Sequence, residues 1–163
     1  MKYAFVLALA LGLAAAALAN NQTNAITPDN VLRLMNEYRV EHGLSPLHED
    51  ASLAKAAEDR MRDMADGGWW SHESPEGVSP FVWLNVCGYR YLNAGENLAC
   101  GFETAQLLVA SWMESPGHRD NILGENFEDC GIAILEGSTM GPASGMSVVV
   151  LFGRRQPAHA KPQ

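Results

Sequence analysis

The 163-residue chain lacks several short motifs that are typical of common catalytic and metal sites. It has three cysteines and no Cys-x-x-Cys pair, so neither a thioredoxin-like redox site nor a cysteine zinc site is expected. It contains no G-x-S-x-G and no H-E-x-x-H motif. It also lacks a basic cluster, and its 11 basic residues stand against 19 acidic ones. That balance makes nucleic acid and anionic membranes poor partners.

The chain has one long uncharged apolar run, and it lies at the start, over residues 4–18. Ala17-Leu18-Ala19 follows the pattern of a signal-peptidase site, so residues 1–19 are predicted to be a secretory signal peptide cleaved before Asn20. The alternative is an uncleaved membrane anchor. Cleavage would leave 144 residues (163 − 19), secreted or periplasmic, with no integral membrane segment.

The three cysteines are Cys87, Cys100 and Cys130. An exported location permits a disulfide, and the odd count then leaves one free thiol. All three pairings stay open on sequence alone. The alternative is that the cysteines serve as three small buried apolar residues.

Capping residues mark the predicted helices. Thr27 followed by Pro28 begins the first helix, which Gly43 ends. Asp50 caps a second helix, which ends at Gly67-Gly68. Further helix starts are predicted at Ser79-Pro80, Thr104 and Ser115-Pro116.

The strands are predicted mostly in the second half of the chain. A turn at Asn93-Ala94-Gly95 leads into a short strand over 96–99, and two buried strands cover 131–135 and 146–152. A loop over 137–145 joins the last two as a hairpin. Helices first and strands late predict an α+β fold with a small, largely antiparallel sheet.

The domain boundaries follow from the same patterns. Residues 20–27 form a polar N-terminal segment, 28–155 a single domain, and 156–163 a polar tail expected to be disordered.

Three side chains are candidates for a shared site, namely His72, Glu96 and His118. Two imidazoles and a carboxylate are a plausible Zn²⁺ ligand set with room for water, and they also suit general acid–base chemistry. Ser71 and Ser115 adjoin these residues in sequence, but serine is common in turns and helix caps. The alternative is a hydrogen-bonded polar cluster that braces the fold.

Several of these residues lie in motifs that occur together in one known family. The motifs are SHESPEG, GENLACG, WMESPGHRDNIL, GIAI and VVVLFG, spread from about Pro28 to Arg155. In this order they resemble a bacterial member of the CAP superfamily, which includes cysteine-rich secretory proteins, venom antigens and plant pathogenesis-related proteins. The resemblance implies an α-β-α sandwich.

The resemblance also implies a cleft lined by two histidines and two acidic residues. His72, Glu96 and His118 match three of these positions. At the fourth, this chain has Ser115, and the nearby acid Glu114 is displaced by about 100° around the helix. Some relatives hold a divalent metal in this cleft, so Zn²⁺ or another divalent cation is the cofactor to test.

The function expected from these observations is that of a secreted, non-catalytic binding protein. Its cleft would take a divalent metal or a small ligand, and its partner would be an extracellular small molecule, lipid or protein. One alternative is a metal-assisted hydrolase or peptidase, which the lack of an independent nucleophile disfavours. Another is lipid or sterol binding in an apolar groove lined by Trp69, Trp70 and Trp83.

Overall fold

A computed structural model of the chain describes residues 24–136 and 145–157. In these residues the secondary structure follows the predicted order, with helices first and the paired strands mostly later. The helices are α1 (Pro28–Glu41), α2 (Ala51–Gly67), α3 (Val82–Val86), α4 (Ala105–Glu114) and α5 (Pro116–Ile122). The strands are β1 (His48–Glu49), β2 (Tyr91–Phe102), β3 (Asp129–Leu135) and β4 (Met146–Arg155).

The four strands form one sheet in the order β1-β3-β4-β2. Strand β4 is central and pairs antiparallel with both β2 and β3. Strand β1 adds only two residues, in parallel, opposite Asp129 and Cys130. The predicted α+β fold with a small, largely antiparallel sheet is therefore confirmed.

The sheet has a separate hydrophobic core on each face, because side chains along a strand alternate between its two sides. The α1-side core packs α1, α4 and α5 against one face, and the α2-side core packs α2 and α3 against the other. Along β4 the buried residues divide accordingly: Val148, Val150 and Phe152 belong to the first core, and Val149 and Leu151 to the second. This is the α-β-α sandwich that the family resemblance implies.

Three of the predicted helix caps form as expected. The Thr27 side chain accepts a hydrogen bond from the N–H of Asn30, and the Thr104 hydroxyl accepts one from the N–H of Leu107. The Asp50 carboxylate accepts hydrogen bonds from two backbone N–H groups. These bonds satisfy backbone donors that the first turn of a helix leaves without a partner. Ser115 makes no such bond, although Pro116 does begin a helix after it.

One local prediction is wrong. Asn93-Ala94-Gly95 is not a turn but part of the long strand β2, where it pairs with residues 152–154 of β4. Asn and Gly favour turns in isolation, but the ladder of backbone hydrogen bonds to β4 overrides that preference. The only local irregularity nearby is a register shift between Tyr91 and Asn93.

The expected disulfide is also absent, and all three cysteines are free thiols. Cys100 lies opposite Ser147 and Cys130 opposite Phe152, on the two sides of β4. Five residues along β4 (152 − 147) and two strand spacings separate them, roughly 16 Å along and 10 Å across the sheet. A disulfide needs Cα atoms within about 7 Å.

The other two pairings fail for similar reasons. Cys87 packs against the α2-side core and Cys130 lies in the α1-side core, so the sheet separates them. Cys100 lies nine residues along β2 from Tyr91, roughly 30 Å. The four residues from Cys87 to Tyr91 span at most about 14 Å, which leaves Cys87 far from Cys100.

Several predictions fall on residues outside the described ranges. They are the signal peptide at 1–19, the start of the polar segment at 20–23, most of the hairpin loop at 137–144 and the last six residues of the tail. Within the described ranges, no helix combines the length and apolar character that crossing a membrane requires.

Candidate functional site

The buried carboxylate of Glu96 is the centre of the candidate site. Glu96 lies on β2 with only 2% of its side chain exposed. Its Oε2 accepts a hydrogen bond from Arg60 Nε at 3.0 Å, and its Oε1 lies 2.8 Å from His72 Nδ1. Both carboxylate oxygens are thus occupied, one by a buried cation and one by an imidazole.

Arg60 fastens the loop that carries His72. It projects from α2, is 1% exposed, and donates through Nη2 to the carbonyls of Ser71 and His72, at 2.6 and 2.8 Å. Its guanidinium also lies over the ring of Trp69, 4.7 Å from the centroid. A planar cation with several fixed donors can make all of these contacts at once. The loop after α2 is therefore held to both the helix and the sheet.

The His72 ring is oriented by Glu96 and otherwise open. Its Nδ1–H donates to the carboxylate, which leaves Nε2 as the nitrogen available to a ligand, and 57% of the side chain is exposed. The hydrogen bond to Glu96 raises the pKa of His72, and burial only partly opposes it. His72 therefore retains its positive charge to a higher pH than an ordinary histidine.

His118 lies in the first turn of α5, where the Ser115-Pro116 helix start places it. Its ring lies 6.2 Å from that of Trp112, and its backbone carbonyl accepts from Asn97 Nδ2 at 3.1 Å. Burial lowers the pKa of His118, and the charge of His72 lowers it further. The two histidines are thus shifted in opposite directions.

Gly95, Glu96 and Asn97 each contact residues of α5. A side chain at Gly95 would collide with Asn121 Oδ1, since a Cβ there would lie 2.7 Å from it. Asn121 Nδ2 instead donates to the Glu96 carbonyl and to Asn97 Oδ1, at 3.0 and 2.8 Å. Together with the Asn97–His118 bond, this network ties α5 to β2 beside the carboxylate.

These side chains border one open cleft of about 440 Å³. His72, Glu96 and His118 all line it, so the structure brings the three predicted residues to one place. The remaining polar lining is supplied by Glu73, Ser79, Ser115 and Asn121. The volume falls within the roughly 300–1,000 Å³ usual for small-ligand sites.

Of the remaining acid and serine candidates, only one lines this cleft. Ser115 lines it, whereas Glu114 is exposed at the end of α4 and does not belong to the lining. Ser71 contributes its backbone carbonyl to Arg60. Within residues 24–136 and 145–157, no group of three or more His, Cys, Asp or Glu side chains is arranged to hold a metal ion.

A comparison of the sequence with models of known protein families gives the same family as the sequence motifs. The model of the CAP family, described as the cysteine-rich secretory protein family, matches residues 32–149. That match covers well over half of the chain. The chain belongs to the CAP family.

Bacterial proteins are among the relatives of this CAP domain. It is 40% identical over 110 residues to the uncharacterized protein YkwD of Bacillus subtilis, covering 68% of this chain and 43% of that protein. An extracellular protein of Bacillus anthracis that contains an SCP domain matches at 26% identity and a TM-score of 0.62, covering 79% of this chain and 44% of the other. This CAP domain therefore spans less than half of each of these relatives.

A third relative supports the fold alone. An outer surface protein of Borrelia burgdorferi superposes with a TM-score of 0.67 at 24% identity, over 77% of this chain and 90% of the other. At this identity the likeness is evidence for the shared fold.

The sequence analysis did not identify the roles of three residues of the site, namely Arg60, Asn97 and Asn121. Arg60 falls four residues before Met64 and seven after Leu53, in the apolar stripe of α2. A charged residue in such a stripe signals a buried partner, and this was the available clue. The two asparagines gave no comparable sign, because their roles depend on how α5 packs against β2.

Proposed function

We propose that this CAP domain is a secreted binding module whose His72–His118 cleft takes a small polar ligand or a divalent cation and performs no catalysis of its own. The observation that carries the proposal is the anchoring of His72 by Glu96 through Nδ1. This bond fixes the ring and leaves Nε2 as a preformed contact point beside His118 in an open cleft. A buried carboxylate behind a histidine is the usual way to orient a metal- or ligand-binding imidazole.

The residues fit a divalent cation only in part. His72 Nε2 and His118 would hold the ion, and Glu96 would orient His72 from behind, since both of its oxygens are already occupied. A bound divalent cation would supply a Lewis-acidic centre for ligand oxygens. Two protein ligands are fewer than the three of zinc enzymes or the four of structural sites, so binding is expected to be weak.

A small ligand fits the same cleft through hydrogen bonds. The pKa of His72 is raised and that of His118 lowered, so over a window of pH His72 is a cationic donor while His118 is a neutral acceptor. Ser115 and Asn121 add further polar groups to the lining. A ligand that carries an anionic or acceptor group next to a donor would satisfy both imidazoles.

Hydrolysis is the second candidate, and the opposite pKa shifts favour it, because an acid and a base of different proton affinity are what general catalysis needs. A nucleophile is the missing part. The Ser79 hydroxyl accepts from the N–H of Phe81. In the described ranges no hydrogen bond links the Ser115 hydroxyl to either histidine.

Lipid or sterol binding by the tryptophans has weaker support. Trp69 and Trp83 line a separate pocket of about 170 Å³, together with Arg60, Asp63 and Glu76. That volume is below the roughly 300–1,000 Å³ typical of small-ligand sites, and charged groups surround it. Trp70 packs against the α2-side core.

Export to the cell exterior or periplasm is part of the same proposal. Its support is the apolar run before Asn20 and the names of two relatives, one described as extracellular and one as an outer surface protein. A partner outside the cytoplasm, whether a small molecule, a lipid or a protein, would then meet the cleft.

Zinc titration by calorimetry tests the cleft directly. We expect wild-type protein to bind Zn²⁺, and His72→Ala and His118→Ala to weaken binding at least about tenfold. Glu114→Ala is the matched control and should bind like wild type, because Glu114 is outside the cleft lining. Affinity should fall as the pH is lowered, because protons compete for the imidazoles, and the raised pKa of His72 makes this loss begin at a higher pH than for an ordinary histidine. Equal affinity in all four proteins would rule out a His72–His118 metal site.

A further inference from the structure

Strand β3 has an open edge on the side away from β4. Strand β1 pairs only with Asp129 and Cys130, and beyond them no strand in the described part of the chain continues on that side. The residues from Gly131 to Leu135 therefore pair with β4 alone. The Cys130 carbonyl accepts from the N–H of Asp50 on this side, so the backbone groups of Ile132 and Ile134 also point away from β4, because alternate residues of a strand share a side. Ile132 is 5% exposed and Ile134 is half-buried. Unpaired backbone donors and acceptors at a sheet edge can pair with another chain.

A groove of about 500 Å³ runs along this open edge. Its floor includes four consecutive residues of β3, Ile132 to Leu135, and its walls come from α2 and from Pro28 at the start of α1. Ile132 and Ile134 pack into the α1-side core, whereas Ala133 and Leu135 pack into the α2-side core. These side chains point alternately to opposite faces, so the groove follows the edge of the strand, where Ile132 and Ile134 provide the N–H and C=O groups that do not point to β4.

We propose that this groove binds an extended peptide segment of a partner protein, which adds to the sheet as a strand beside β3. Backbone N–H and C=O groups in a row are matched by another extended backbone, whereas a helix has already used its own backbone groups. Met61 and Ala65 on α2 give the groove an apolar wall for alternate side chains of the peptide. The site goes beyond the cleft function and lies at the opposite edge of the sheet from β2, which carries Glu96.

The charges on the rim indicate the kind of peptide. Glu58, Arg62 and Asp66 line the groove from α2. The Arg62 guanidinium is already paired with Asp59 at 2.9 Å, so the carboxylates of Glu58 and Asp66 dominate the rim. We therefore expect a peptide with alternating apolar residues and a lysine or arginine at one or both ends, as charge complementarity requires.

The experiment uses the full domain and a synthetic peptide, acetyl-Lys-Val-Thr-Val-Thr-Lys-amide, followed by NMR amide exchange. Binding should slow exchange of groove-facing N–H groups in β3 by at least about tenfold, because they gain hydrogen-bond partners. A peptide of the same sequence with N-methylated valines lacks two backbone donors and should bind at least about tenfold more weakly. A peptide with glutamate in place of both lysines should also bind more weakly.

Charge reversal in the protein provides a second readout. Glu58→Lys with Asp66→Lys should weaken the lysine peptide about fivefold to tenfold, the size expected for two exposed charge pairs, and should favour the glutamate peptide. Glu114→Lys, which reverses an exposed charge on α4, should leave binding unchanged. Unchanged β3 exchange at millimolar peptide, or equal affinity for the N-methylated peptide, would overturn the proposal. Binding of oleate in the groove without any effect of peptide would instead assign it to lipid.

Discussion

The ion pair between Arg60 and Glu96 is the least replaceable contact of the site. Both side chains are almost fully buried, at 1% and 2% exposure, and each makes further bonds to the His72 loop. Burying two charges is costly, and their mutual attraction offsets that cost only while both are present. Removing either partner leaves the other charged, buried and unpaired.

Arg60→Ala is therefore expected to lower the free energy of unfolding by about 3–5 kcal/mol, measured by urea denaturation. The matched control is Arg33→Ala, which breaks the exposed helical pair between Arg33 and Glu37. That change should lower it by less than about 1 kcal/mol. Similar losses in the two variants would contradict the structural role assigned to Arg60.

Glu96 raises the pKa of His72, and the charge of His72 in turn helps to lower the pKa of His118. In Glu96→Gln the charged acceptor is lost, so the pKa of His72 should fall. Less charge on His72 should let the pKa of His118 rise slightly, while burial keeps it lowered. NMR titration of the ring protons measures both values. Movement of the two pKa values in the same direction would disprove the coupling.

The sign of the pH effect on stability follows from these shifts. The folded pKa of His72 is raised, so its contribution is complete below the unfolded value and is lost as the pH rises through the folded value. The folded pKa of His118 is lowered, so its contribution is present above the unfolded value and is lost as the pH falls through the folded one. The two contributions oppose each other near neutral pH.

At the scale of secondary structure elements, the close approach of α2 to β3 places the Arg60 side of the site. Gly131 permits this approach, since a Cβ there would lie 2.0 Å from the carbonyl carbon of Leu53 and 2.1 Å from the nitrogen of Ala54. Both are backbone atoms at the start of α2. Relief of such a contact requires the whole helix to shift.

Gly131→Ala should therefore lower the free energy of unfolding by about 3 kcal/mol, at the upper end of overpacking effects. It should also weaken ligand binding in the cleft, because α2 carries Arg60. Gly117→Ala is the control for stability alone, since a Cβ there meets nothing within 4 Å, and in α5 it should be neutral or slightly stabilising. Thermal unfolding of the two variants distinguishes these effects, and equal melting temperatures would refute the packing argument.

The sequence predicted helices better than it predicted the pairing of strands. Thr27, Asp50 and Thr104 are local signals, because a cap bonds to residues two or three positions away. The structure of Asn93-Ala94-Gly95 depends instead on residues 152–154, more than 50 positions later in the chain. No local pattern carries that information.

The same distinction holds for the site. His72, Glu96 and His118 were recognisable by residue type and motif, and all three line the cleft. The sequence did not show which of the three residues orients another and which faces a ligand. The Glu96 carboxylate contacts Arg60 and His72 only because α2 and β2 pack together. Sequence thus predicted which groups meet, and the packing determines which of them faces a ligand.

At the scale of the whole molecule, the fold separates its cysteines instead of joining them. Cys130 is buried in the α1-side core, Cys87 packs against the opposite core, and Cys100 lies far along β2. Burial raises the pKa of the Cys130 thiol to about 12, and burial also raises that of Cys87. Neither thiol is readily ionised at neutral pH, so exchange and oxidation are slow in the folded state.

The structure has three free thiols, whereas an exported location suggested one disulfide and one free thiol. Protein unfolded in denaturant without reductant should titrate with three thiols per chain, because no pair of cysteines lies within the reach of a disulfide. In the folded protein Cys130 should react far more slowly than Cys87 and Cys100, which are both partly exposed. Mass spectrometry of alkylated protein counts the thiols and identifies them by position. A count of one in protein purified from the cell exterior would mean that a disulfide forms, and the fold around the paired cysteines would then have to differ from the one described.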